Sequence, residues 1–72
     1  MENKKMIGKV VKDTKTEYKG DIGVVTDIRH FKKADKTYAV VQWTEGSKHG
    51  DGVYRNYKPD QFGIFKRFRY ED

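Results

Sequence analysis

Not one of the 72 residues is leucine, and alanine occurs only at Ala34 and Ala39. The best apolar helix formers are therefore missing. Val, Ile and Thr supply sixteen positions and aromatic rings ten more. Stiff β-branched side chains and flat rings suit a pleated surface, so this inventory points to an all-β domain. With 35% hydrophobic residues in so short a chain, one small domain over 1–72 is expected, with Met1 to Lys5 as a flexible tail. A chain of this size buries only roughly 60% of its unfolded surface, which leaves little room for an enclosed active site.

Turn-forming residues divide the chain into five short apolar segments. The first strand is read over Met6–Lys12, followed by a polar loop, Asp13 to Lys19, that ends at Gly20. Strand two, Ile22 to Arg29, carries Val24, Val25 and Ile28, and the charged stretch Phe31 to Lys36 breaks it. Strand three, Thr37 to Trp43, alternates with period two and sets Thr37, Ala39, Val41 and Trp43 on one face, so Trp43 is expected to be buried. Glu45 to Gly52 holds three glycines and reads as a hairpin loop. Strand four is Val53 to Tyr57. Pro59 then interrupts the ladder and suits a single helical turn over Lys58–Phe62. Strand five, Ile64 to Tyr70, is expected to turn Ile64, Lys66, Phe68 and Tyr70 inward and Phe65, Arg67 and Arg69 outward. This order of elements is that of a small five-stranded SH3-like barrel with a one-turn helix before the last strand, a closure that also protects sheet edges. An OB-type barrel needs a helix between strands three and four, for which Glu45 to Gly52 leaves no space.

Three resemblances bear on this reading. Lys19 to Ile28 resembles the KOW motif through Gly20, Gly23, Val25 and Ile28. In such a pattern one glycine makes a turn with positive φ, another lets two backbones approach, and the apolar pair anchors a twisted strand. KOW domains of ribosomal proteins and transcription elongation factors bind RNA or the proteins around it, so the resemblance implies that partner class. Gly23 to Phe62, through Val41-Gln42-Trp43-Thr44-Glu45-Gly46-Ser47, Val53-Tyr54-Arg55 and Asp60-Gln61-Phe62, looks like the peptide-binding SH3-like repeats of mind-bomb-type proteins. The whole chain also resembles small SH3-like prophage proteins of the YorP type.

Charge supplies the functional expectation. Sixteen Lys and Arg against eleven Asp and Glu give a net +5, which attracts phosphate backbones. Candidate nucleic-acid contacts are Arg29, Lys32 and Lys33 around the second loop, Lys48 on the hairpin, and Arg67 and Arg69 on strand five. There Phe65 would complete an outward stripe of one ring and two guanidinium groups. An SH3-like barrel that brings the second loop and the Lys48-His49 hairpin to one end would join them in a single basic rim. The alternative is a protein-interaction module whose aromatic groove, formed by Tyr18, Trp43, Tyr54 and Tyr57, takes a peptide or a partner surface.

Catalytic and cofactor chemistry lacks its usual residues. There is no cysteine. His30 and His49 have no second ligand at metal-binding spacing, Ser47 sits in no strained elbow, and no glycine-rich loop precedes a helix. The expectation is a non-enzymatic, cofactor-free monomer in the cytoplasm that binds RNA, DNA or a protein and does not engage a membrane.

Overall fold

The computed structural model describes residues 2–71 and is all-β, as the missing leucines require. Its strands are β1 Val10–Asp13, β2 Ile22–Phe31, β3 Lys36–Trp43, β4 Tyr54–Tyr57 and β5 Phe68–Glu71. They form one antiparallel sheet in the order β4-β3-β2-β1-β5. The first four strands meander, and β5 returns to the far side of β1. Short 3-10 helices cover Glu2–Met6, Thr16–Tyr18 and Pro59–Gln61, and there is no α-helix among the described residues. The turn at Pro59 stands where the sequence placed it.

The longest strand changes face in mid-course. Gly23 pairs with Trp43 and Val25 with Val41, but Asp27 pairs with Val40 and Ile28 with Ala39, so Thr26 is an extra residue in β2. This bulge explains why the apolar positions Val25 and Ile28 both lie against the core although three apart: β3 keeps its alternation while β2 switches parity. Gly23 faces Trp43 because nothing larger fits. A Cβ there would stand 2.6 Å from Val41 Cγ1 and 2.8 Å from Trp43 Cε3. Gly20 holds φ +95° at the turn into β2, so both glycines of the KOW-like segment have the backbone roles expected of them.

The core consists of Met6, Val11, Val25, Ala39, Val41, Trp43, Phe62 and Phe68. Trp43 and Phe68 are fully buried, with ring centroids 5.9 Å apart. Aromatic rings thus supply the volume that leucines fill elsewhere.

Several sequence boundaries are corrected. Strand one starts at Val10 rather than Met6, and Glu2–Met6, which joins residues 2–5 of the expected tail to the expected first residue of the strand, forms a 3-10 helix that buries Met6; Met1 lies outside the described residues. Strand two runs on to Phe31, and strand four begins at Tyr54. The largest difference is strand five, which spans only Phe68–Glu71. Its partner β1 has four residues, and Asp13↔Phe68 is the last pair; beyond it Thr14 N–H and Oγ1–H both donate to Arg67 O, at 2.9 and 2.7 Å, and residues 64–67 do not continue the strand. They turn instead, with Lys66 N–H donating to Gly63 O at 3.3 Å and Phe65 at φ 63°. Ile64 and Lys66 are therefore exposed instead of inward, and Phe65 is 99% exposed.

Candidate functional site

The sheet order separates the basic loops that the sequence reading joined in one rim. The β2–β3 turn, Lys32 to Asp35, and the β3–β4 loop that carries Lys48 lie at opposite ends of β3. Its eight residues span about 25 Å at roughly 3.3 Å per residue. Arg29, Lys32 and Lys33 thus form one group, while Lys48 and Arg67 belong to another.

At the first end, β2 and β3 continue as a two-stranded ribbon. The ladder of β1 ends at Val24 and that of β4 at Ala39, so Arg29–Phe31 and Lys36–Tyr38 pair only with each other. Arg29 is opposite Tyr38 and Phe31 opposite Lys36. Directly paired residues share a face, and alternation puts all four on the side away from Ile28 and Ala39. The rings of Phe31 and Tyr38 meet edge to face with centroids 5.6 Å apart. Lys32 and Lys33 cap the ribbon, and Arg29, Lys32, Lys33 and Lys36 are all exposed. Two carboxylates temper this charge: Asp27 lies 3.5 Å from Arg29 Nε, and Asp35 lies 3.7 Å from His30 Nε2. Beside the ribbon, Lys36, Tyr38, Lys58 and Pro59 help to line an open cleft of about 410 Å³. The sequence reading treated Phe31 to Lys36 as a break, so it counted Lys36 with the basic loop but missed Phe31, and it did not assign Tyr38 or Lys58 to this end. An aromatic ring at Phe31 beside the charged turn, with Tyr38 two residues past its cross-strand partner Lys36, is the signal that would have found this face.

The second end is built on a buried ionic cluster. The Asp13 side chain is fully buried and accepts Arg67 Nε–H at 3.0 Å, Arg67 Nη2–H at 2.9 Å and the Lys15 backbone N–H at 2.9 Å. His49, with 3% of its side chain exposed, is sandwiched between Trp43 and Tyr18, both ring centroids 3.9 Å away. Its Nδ1 lies 2.7 Å from Asp21 Oδ2. Nε2 sits 3.3 Å from Asp13 Oδ2 but makes no hydrogen bond. Asp21 also accepts the backbone N–H groups of Lys48 and His49, each at 3.0 Å. Burial pushes the Asp21 pKa up, but these two N–H groups and the His49 ring outweigh it and hold the carboxyl below its ordinary value. The bidentate bond to Asp13 raises the Arg67 pKa, and burial raises that of Tyr57.

This cluster corrects the reading of Arg67 as an outward member of a strand-five stripe, and it gives His49 two carboxylate neighbours that are distant in sequence. Arg67 is engaged by Asp13, and its guanidinium carbon lies 4.6 Å from the Phe68 centroid and 5.2 Å from that of Tyr57. Phe65 is not on the strand. Arg69 is exposed beside Lys12, its partner across β1 and β5. The aromatic-groove set also divides. Tyr18 and Tyr57 line an open cleft of about 410 Å³ together with Lys48 and Arg67, Trp43 is buried beneath it, and Tyr54 is 60% exposed on the other face of β4, opposite Gln42. Asp13 and Asp21 flank His49 at different ring nitrogens and do not converge on one point. Among the described residues no group of three or more His, Asp or Glu side chains is arranged to hold a metal ion. No family model, curated protein or solved structure matches the chain.

Proposed function

We propose that the chain is a non-catalytic SH3-like barrel module that binds nucleic acid through the β2–β3 ribbon, chiefly by charge and with little sequence preference. The strand order β4-β3-β2-β1-β5, the bend imposed by the Thr26 bulge and the bridge from Phe62 to Phe68 support the barrel. The observation that carries the function is the ribbon itself, where Arg29, Lys36, Phe31 and Tyr38 share one outer face and Lys32 and Lys33 cap it. A two-stranded ribbon fits a duplex major groove, and the exposed Phe31 ring and half-buried Tyr38 ring among cations provide a stacking platform for a single strand. Phosphate contacts fix position without reading sequence, which accounts for the weak selectivity.

Fluorescence anisotropy with a labelled single strand and a labelled duplex, over a range of salt concentrations, tests this reading. With about four phosphates neutralised, log affinity should fall against log salt with a slope of about −3 to −4 on duplex. Reversing Lys32 and Lys33 to Glu should weaken binding to all sequences alike and reduce the slope by about 2. Failure to bind either probe at about 50 mM salt, where this attraction is strong, overturns the reading. Binding of an extended peptide under the same conditions would then favour the aromatic-groove module.

A further inference from the structure

We propose that the cleft at the opposite end of the sheet is a phosphomonoester site, in which Lys48, Arg55, Tyr57 and Arg67 hold a dianionic phosphate. This site is separate from the ribbon and does not depend on the ribbon's function. The site combines two donors that the fold has fixed and left with spare capacity, Tyr57 and Arg67, with two cations, Lys48 and Arg55, that line the same cleft.

Trp43 Nε1–H donates to the Tyr57 hydroxyl oxygen at 3.0 Å, so the Tyr57 O–H proton remains to be donated outward. Burial raises the Tyr57 pKa, which keeps that proton on. Arg67 spends Nε–H and one Nη2–H on Asp13, which leaves the other edge of its guanidinium fork unused. The same two bonds orient the group, and the stacked Trp43, His49 and Tyr18 rings form a rigid wall beside it. Among the described residues Lys48 and Arg55 make no ion pair, whereas Lys15, also in the cleft, is 3.4 Å from Glu17.

Two buried carboxylates adjoin these donors: Asp13 is bonded to Arg67, and Asp21 to the backbone N–H groups of Lys48 and His49. Neither forms an ion pair with the Lys48 or Arg55 side chain. A single carboxylate ligand would answer only part of this charge. A phosphomonoester carries about −1.5 to −2 at neutral pH and three acceptor oxygens, and its geometry matches a guanidinium fork.

The test is titration of the whole chain with inorganic phosphate and with adenosine 5′-monophosphate at constant ionic strength, followed by amide chemical shifts and by emission of Trp43. We expect saturable binding of both, with shifts centred on Lys48, Arg55, Tyr57 and Arg67. Arg55→Ala and Tyr57→Phe should each weaken it roughly tenfold, the loss of one bond to a charged group. The Lys32→Ala, Lys33→Ala double variant should bind both ligands unchanged, which separates this site from the ribbon. Tighter binding of the nucleotide would add a contact of its base with the exposed edge of Tyr18, and equal binding would assign recognition to the phosphate alone; both support the site. Binding of inorganic phosphate with exclusion of the nucleotide overturns the monoester assignment. Absence of saturation, or equal weakening by the ribbon variant, overturns the site.

Discussion

Asp13 and Arg67 show how much one buried charge depends on its partner. Arg67→Ala would leave a fully buried carboxylate without its bidentate donor, at a cost of about 3–5 kcal/mol in a urea unfolding experiment. Asp13→Ala should cost less, because Arg67 is 22% exposed and its freed guanidinium can turn to water. Gly23→Ala should destabilise by about 1–3 kcal/mol through overpacking against Val41 and Trp43. Gly20→Ala meets no atom within 4 Å and should cost about 1 kcal/mol through its positive φ alone. For Asp21 the sign follows from a folded pKa below the ordinary 3.8. Its stabilisation is complete above that value and is lost as pH falls through the lower folded one. Asp21→Asn should accordingly flatten the acid limb of melting temperature against pH, whereas an unchanged limb would assign acid sensitivity to other groups. Residue chemistry of this kind was only partly legible in the sequence. Gly20 and Gly23 announced themselves by spacing, but nothing in the linear chain places Asp13, Asp21, His49 and Arg67 in one cluster.

Among the elements, β2 and β5 explain where sequence pattern succeeds and where it fails. β3 keeps one register throughout, and Ala39, Val41 and Trp43 were readable as core, although Val40 on the other face is buried as well. In β2 the positions of Val24, Val25 and Ile28 fit neither parity throughout, and the reason is the Thr26 bulge. Deletion of Thr26 removes the extra residue and should leave Val25, Asp27 and Ile28 opposite Val41, Val40 and Ala39, with Ile28 still inward. The variant should therefore still melt cooperatively. Loss of the cooperative transition would contradict this register and show that the fold depends on the bulge itself. Strand five was misread because Ile64, Lys66, Phe68 and Tyr70 alternate plausibly on their own. The length of a strand is set by its partner, however, and β1 offers four residues. Propensity cannot report where that partner stops.

At the scale of the molecule, the meander sends the two basic groups to opposite ends. That follows from strand order; the sequence indicated the count and spacing of the segments, not their order in the sheet. The expectation of one joint rim ignored the length of β3. Each end keeps part of what was expected: Arg29, Lys32 and Lys33 stay together on the ribbon, while Lys48 and Arg67 join Tyr18 and Tyr57 at the cleft. The most direct test of the ribbon as the nucleic-acid interface is amide chemical-shift mapping during titration with a short mixed-sequence single strand at low salt. The expected result is a continuous set of shifts from Arg29 to Tyr38, extending to Lys58 and leaving Lys12 and Arg69 unmoved. Shifts confined to β1 and β5 around Lys12 and Arg69, or spread evenly over all lysines, would contradict it.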